Sequence, residues 1–189
     1  MTRPRVPMLS AEEATAAARA GGAPEYVTVL NLNRVLLHQP TQARDFVQYF
    51  WDLMYEGVLP PRLRELAILR IAWLTGSEYE WTQHWHLATG LGIPADDAVA
   101  VRDWPQADVF DDADRAMLAA ADDVCAHGAI QAATWTALAA ALPTPAQQVE
   151  ALLAITGWRM VASILRSLDV PLEDGVNPWP PDGVRPTTT

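Results

Sequence analysis

The sequence predicts an all-α fold with one helical domain. Three observations indicate this: apolar residues recur at three- and four-residue spacing, Gly and Pro separate the apolar segments, and no stretch alternates convincingly as a strand. The chain of 189 residues, 50% of them hydrophobic, is long enough to bury a core without disulfides. We therefore expect a single-domain bundle of about eight or nine helices.

Start and stop signals place each helix. Ser10 and Glu13 form a capping-box pattern that begins an Ala-rich helix, and Gly21 and Gly22 end it. The following helices are predicted at about 24–38, 41–56, 61–75, 77–90, 94–102, 111–127, 131–141 and 145–168.

These helices suggest three parts of the chain. Residues 1–22 form an N-terminal helical extension, and residues 23–170 form the main helical domain. The C-terminal tail, residues 171–189, is rich in proline and lacks apolar periodicity, so we expect an extended arm or a loosely ordered segment.

Composition excludes several classes of function. Cys125 is the sole cysteine, so the chain cannot form an internal disulfide, a cysteine metal cluster or a two-cysteine redox couple. All basic residues are arginine, which excludes lysine Schiff-base catalysis. A net charge of −10 without a basic stripe argues against nucleic acid as a partner. With no signal-peptide core or uninterrupted apolar span evident, we expect a cytoplasmic protein that does not enter the membrane.

The predicted hairpin of helices at 61–75 and 77–90 carries the candidate catalytic residues. Gly76 marks its turn, with Glu65 about eleven residues before it and His84 about eight after it, so the two lie near the same level. Glu80 and His84 are four residues apart and share a helix face. A carboxylate beside an imidazole in an apolar pocket suits proton transfer near neutral pH.

Each of these residues also has a structural explanation. Ser77 and Glu80 fit a capping box, and Glu65 could pair with a neighbouring arginine. A core-facing histidine such as His84 is often a hydrogen-bonded packing residue. We expect no metal site, because Glu80 and His84 lack a clear third ligand. Cys125 has no evident activating base and is expected to be an inert packing thiol.

The hairpin resembles the carboxymuconolactone decarboxylase and alkylhydroperoxidase D-like family. The matching segments are 63–70 (LRELAILR), 78–84 (EYEWTQH) and 88–92 (ATGLG), and looser similarity runs from about 31 to 170. The peroxidase-type members carry Cys-x-x-Cys-x-x-x-His, whose cysteines fall here on Ser77 and Glu80. The resemblance therefore implies a cysteine-less branch without thiol peroxidase activity, in which Glu80 and His84 match the Glu-x-x-x-His of the decarboxylase type.

The resemblance also implies a cofactor-free enzyme on an all-helical fold that assembles into homo-oligomers, trimers or hexamers, with a dimer also possible. Its chemistry would be decarboxylation, isomerisation or a related lyase or cyclisation step on a small organic acid or lactone. Glu80, His84 and Glu65 would be catalytic. The residues expected to contact substrate are Tyr79, Trp81, Arg64 and Arg70.

Two other functions remain open. The chain could be a non-catalytic binding or assembly protein on the same fold, with Glu65, Glu80 and His84 as a buried polar cluster. It could also retain antioxidant activity through Cys125.

Overall fold

The computed structural model describes residues 4–187, and this part of the chain is helical with no strand, which confirms the predicted all-α class. The described residues form two compact units. The first contains the described part of residues 1–57 together with Ile164–Val176, and the second contains residues 58–163 together with the described part of 177–189. The three predicted domain ranges stay a prediction.

The first unit contains α1 (Ala11–Gly21), a 3-10 helix (Glu25–Val29), α2 (Asn31–Leu36) and α3 (Pro40–Tyr55). The Ser10 and Glu13 capping box forms in both directions at the start of α1. The core of this unit is made mostly of small side chains, which lets its helices approach closely. Its buried apolar residues are Ala14, Ala18, Ala23, Val27, Leu37 and Ala43.

The single helix predicted at about 24–38 is wrong, because the chain is extended at Leu30 (φ −85°, ψ 132°). Two asparagines explain the interruption. The Asn33 side chain donates to the Val27 carbonyl at 2.8 Å, and the Asn31 side-chain amide donates to the carbonyls of Pro171 and Leu172. Such side chains compete with helical backbone bonds and favour turns.

The second unit is built around α4 (Pro61–Thr75), which packs against both of its larger neighbours, α5 (Glu78–Gly90) and α7 (Asp112–His127). Between these two lie α6 (Ala95–Ala100) and a 3-10 helix. The remaining elements are α8 (Ala132–Ala141) and α9 (Pro145–Leu168), and residue 163 of α9 is the last in this unit before the tail. The sequence signals for these helices are confirmed within a few residues.

Helix α9 is long and apolar enough, by length and composition alone, to cross a membrane. In this structure 44% of its apolar window is buried inside the protein. A core helix of a globular domain has the same properties, and buried Ala151, Ile155 and Trp158 give α9 that role.

Of the two forms that its prolines suggested, an extended arm or a loosely ordered segment, the part of the tail at residues 177–187 is a non-helical arm packed within the second unit. Trp179 is 3% exposed and belongs to the apolar cluster around Trp81. Its backbone N–H donates to Thr82 Oγ1 at 3.2 Å, and its indole N–H donates to Glu78 at 2.8 Å. Burial of one large aromatic side chain offsets the conformational entropy that is lost when the arm is ordered.

Gly21 gives a direct test of the close packing in the first unit. A Cβ at this position would lie 2.7 Å from backbone atoms of Pro40, whereas one at Gly90 would meet nothing within 4 Å. We expect Gly21→Ala to lower the free energy of unfolding by about 1–3 kcal/mol, and the matched Gly90→Ala to leave it unchanged or raise it by up to about 1 kcal/mol. Chemical denaturation measures both, and equal effects would contradict the close contact.

Candidate functional site

The turn at Gly76 brings Glu65 and His84 together, as the sequence predicted. Gly76 adopts a left-handed conformation (φ 66°), which suits glycine, and ends α4 just before α5 begins. Glu65 is fully buried on α4, and its Oε2 lies 2.7 Å from Nδ1 of His84 on α5. A carboxylate and an imidazole therefore face each other inside the second unit.

Trp158 of α9 completes this chain of hydrogen bonds. Its indole Nε1 lies 2.8 Å from Nε2 of His84, and the two rings meet edge to face. An indole N–H only donates, so Nε2 of His84 must be the acceptor. The imidazole is then neutral with its proton on Nδ1, from which it donates to Glu65.

Glu65 is held as a carboxylate by two partners. Its Oε1 accepts from Nε of the buried Arg64 at 3.0 Å, and its Oε2 accepts from His84. Burial acts to raise the pKa of Glu65, whereas the hydrogen bonds from His84 and Arg64, together with the charge of the Arg64 guanidinium, act to lower the pKa and favour the carboxylate. Arg64, expected to contact substrate, is thus a partner of the predicted catalytic carboxylate.

Glu80 does not form the capping box that its spacing allowed. The Ser77 backbone N–H, which Glu80 would have to reach, donates instead to the Ala72 carbonyl at 2.9 Å as part of the turn that ends α4. No side chain caps the start of α5. Among residues 4–187, the hydroxyl of Ser77 and both carboxyl oxygens of Glu80 are buried without a hydrogen-bond partner.

The environment of Glu80 favours the neutral carboxyl group. Its side chain is 2% exposed, and burial raises the pKa of its carboxyl well above the ordinary value, against smaller opposing effects of the nearby Ser77 hydroxyl and the Arg159 charge. A protonated carboxyl group on the same face of α5 as His84 is a proton donor inside an apolar interior.

Two other residues expected to contact substrate have identified roles in the second unit. Arg70 uses four of its five N–H donors internally, two on the carboxylate of Asp122 and two on the carbonyls of Val101 and Arg102. Trp81 is fully buried and donates to the Pro180 carbonyl at 2.8 Å. A substrate contact for either residue stays a prediction.

Tyr79 also lies in the interior of the second unit, with 6% of its surface exposed. Its predicted contact with substrate likewise stays a prediction. The structure thus places every predicted site residue on the α4 and α5 hairpin, and brings Glu65, His84 and Arg64 into direct contact.

Arg102 links the tail to the aromatic cluster around Trp81. Its guanidinium lies 4.8 Å from the ring centroids of both Trp73 and Trp81, and it binds Asp182 of the tail through two hydrogen bonds of 2.8 and 3.0 Å. The Arg102 hydrogen bonds lower the pKa of Asp182 to about 2. Neither this contact nor the role of Trp158 was predicted from the sequence, although a tryptophan in the Pro-rich tail and another beside Gly157 were signals that could have indicated both.

Cys125 of α7 is an unreactive thiol. Burial raises its pKa to about 11, with Arg159 opposing the shift. Because the thiolate is the nucleophile in peroxide reduction, a thiol with this pKa is almost wholly inactive near pH 7. Antioxidant activity through Cys125 is therefore unsupported. Within the described part of the chain, no three or more His, Cys, Asp or Glu side chains are grouped to hold a metal ion.

The segment that contains the α4 and α5 hairpin matches a known protein family. Residues 40–123, which include Glu65, Glu80 and His84, match the carboxymuconolactone decarboxylase family. No curated protein sequence matches the chain significantly.

Solved structures share the fold at low identity. An uncharacterized peroxidase-related protein from Silicibacter sp. TM1040 superimposes with a TM-score of 0.74 at 13% identity, over 93% of this chain and 95% of that one. An alkylhydroperoxidase AhpD core protein from Ralstonia eutropha JMP134, also peroxidase-related, superimposes with a TM-score of 0.69 at 19% identity, over 92% of this chain and 94% of that one. The debrominase Bmp8 in complex with 2,3,4-tribromopyrrole superimposes with a TM-score of 0.65 at 18% identity, over 86% of this chain and 85% of that one. These matches confirm the AhpD-like helical fold.

The neutral state of Glu80 predicts how stability depends on pH. The folded protein keeps this proton above pH 4.5, where an unfolded glutamate loses it, so the wild type should lose up to about 1.4 kcal/mol per pH unit until the folded pKa is reached. The Glu80→Gln variant has no carboxyl proton to lose at this position, so its free energy of unfolding should increase relative to that of the wild type as the pH rises above about 4.5. Denaturant unfolding from pH 4 to 8 measures the difference, and parallel profiles would contradict a neutral Glu80.

The indole of Trp158 predicts a single tautomer for His84. Imidazole ¹⁵N chemical shifts should show a protonated Nδ1 and a hydrogen-bonded, unprotonated Nε2 in the wild type. Trp158→Phe removes the donor and should change the Nε2 signal and lower stability by about 1–3 kcal/mol. The control Trp73→Phe, in the aromatic cluster around Trp81, should leave the His84 signals unchanged. A proton on Nε2 in the wild type would overturn the assignment.

Proposed function

We propose that this chain is a cofactor-free enzyme of the carboxymuconolactone decarboxylase family, which residues 40–123 match, and that it transfers protons to and from a small organic substrate. The observation that carries the proposal is the buried, unpartnered and neutral carboxyl group of Glu80. Such a group stores a proton in a dry interior, as a general acid requires.

Glu65 and His84 supply the complementary base in this proposal. Nε2 of His84 accepts the Trp158 N–H in the free protein, and a bound substrate that displaces this bond gains access to the ring nitrogen. When Nε2 takes a proton, the carboxylate of Glu65, 2.7 Å from Nδ1, stabilises the imidazolium that forms. Arg64 keeps Glu65 oriented for this task.

The reaction class follows from these two groups. In a decarboxylation, the bond to the leaving carboxylate breaks, its electron pair enters an enolate, carbon dioxide departs and Glu80 supplies the proton that the product needs. In an isomerisation, a C–H bond breaks and His84 takes the proton, the electron pair shifts the double bond, and the O–H bond of Glu80 breaks to give its proton to the other carbon. Transfer of a proton from the imidazolium to the Glu80 carboxylate restores both groups. The debrominase with this fold binds a small heterocycle, 2,3,4-tribromopyrrole, and this supports the proposal that the same fold binds a small molecule here.

A non-catalytic assembly protein is the second candidate. Both ring nitrogens of His84 have partners within the protein, as a purely structural histidine would. The exposed Val149, Leu152 and Met160 of α9 support assembly into a homo-oligomer. Measured turnover separates the two candidates.

We expect Glu80→Gln to abolish turnover while leaving the fold intact, because the amide preserves shape and neutrality but has no acidic proton to give. The assay follows solvent deuterium exchange and carbon dioxide release by NMR on a panel of small oxo acids, unsaturated acids and lactones. Glu78→Gln, the same change two residues away, is the matched control: the Glu78 side chain is 41% exposed, and an amide oxygen can still accept the Trp179 N–H, so this variant should retain wild-type turnover. Activity that survives in Glu80→Gln, or no activity across the panel, would contradict the proposal.

A further inference from the structure

Two side chains at the start of α5 present unpartnered polar atoms to the interior. Ser77 is 1% exposed and Glu80 is 2% exposed, and the Ser77 hydroxyl lies close enough to the Glu80 carboxyl group to oppose the rise in its pKa, yet neither side chain forms a well-aligned hydrogen bond with any residue among 4–187. Buried polar groups in folded proteins are nearly always hydrogen-bonded. Three unpartnered oxygens within one helical turn therefore indicate a place where a ligand atom binds.

The local backbone keeps these groups available. In most helices a serine at this position would accept from the first-turn amides, and a glutamate three residues later would accept from the serine N–H. Here the Ser77 N–H is engaged by the Ala72 carbonyl, and the Ser77 side chain makes no cap. The tight turn at Gly76 thus leaves a hydroxyl and a carboxyl group side by side at the positive end of the α5 dipole.

The chemistry of the pair selects its ligand. A hydroxyl and a neutral carboxyl group each donate one hydrogen bond, and two donors at a helix N-terminus stabilise an oxygen on which negative charge develops. A carbonyl oxygen is neutral when it binds, so it can occupy such a site without a positively charged side chain. This arrangement corresponds in principle to the oxyanion site of ketosteroid isomerase, in which a protonated aspartate donates to the steroid oxygen.

We propose that Ser77 and Glu80 bind the carbonyl oxygen of the substrate, which is therefore an enolisable ketone, ester or lactone. This inference rests on the proposed function, since Glu80 is the same proton donor. In the step it implies, a bond at the carbon next to the carbonyl breaks and its electron pair forms a carbon–carbon double bond. The carbonyl oxygen then takes the proton of Glu80, whose own O–H bond breaks to leave a carboxylate, and a proton released from carbon goes to His84.

The full-length protein tests this with 4-nitrophenol, a chromophore whose phenolate oxygen resembles that of an enolate. We expect saturable binding with an absorbance shift towards the phenolate. Ser77→Ala should weaken binding by about tenfold or more, the effect of losing one donor to an oxyanion. Its melting temperature should stay the same or rise, because the hydroxyl has no partner to lose.

Variants at Glu80 separate this inference from the proposed function. Glu80→Gln keeps an N–H donor and should bind the probe within about threefold of wild type, whereas Glu80→Met has no donor and should weaken binding by about tenfold or more. Thr75→Val removes a buried hydroxyl already bonded to the Ile71 carbonyl, and should leave probe binding unchanged.

Two results overturn the oxygen site: no saturable binding to the wild type, or equal binding by Ser77→Ala and wild type. Failure of the proposed function looks different, because turnover would then survive in Glu80→Gln whatever the probe does. Loss of binding in both Ser77→Ala and Glu80→Met, with binding retained in Glu80→Gln and Thr75→Val, supports the site.

Discussion

The tight turn at Gly76 is the constraint on which the rest of the site depends. It connects α4 to α5 through Gly76 and Ser77 alone, so that Glu65 and His84 come to the same level and meet at 2.7 Å. The same turn commits the Ser77 N–H to the Ala72 carbonyl, which prevents the capping box and leaves Glu80 unpartnered. One backbone conformation therefore creates both halves of the proposed chemistry, a bonded carboxylate and histidine and a buried free acid.

Two glutamates on neighbouring helices have environments that favour opposite charge states. Glu65 is fully buried, but Arg64 and His84 hydrogen-bond to it and favour the carboxylate. Glu80 is buried without such partners, and the Ser77 hydroxyl and the Arg159 charge do not compensate for desolvation. Two carboxyl groups whose environments separate their pKa values suit the roles of acid and base partner.

Much of this arrangement was predictable from the sequence, because apolar periodicity and the Gly and Pro signals at helix ends depend on local physics. These signals predicted the positions of α4 and α5, and they predicted that Glu65 and His84 lie at a similar height along the two helices. The interruption at Leu30 was missed because the Asn31 and Asn33 side chains act through specific contacts. Trp158 was missed for another reason: its partner His84 is 74 residues away, and helix periodicity contains no information about which distant helix faces another. The docking of Trp179 likewise depends on long-range packing.

The central claim is that Glu80 is a neutral acid in the folded protein near pH 7. Infrared difference spectroscopy between wild type and Glu80→Gln in D₂O tests it directly, since a protonated carboxyl group has a C=O stretching band well separated from the bands of a carboxylate. The account predicts a protonated carboxyl band at pH 7 that is present in the wild type and absent in the variant. A difference spectrum that contains only carboxylate bands would show an ionised Glu80 and contradict the account.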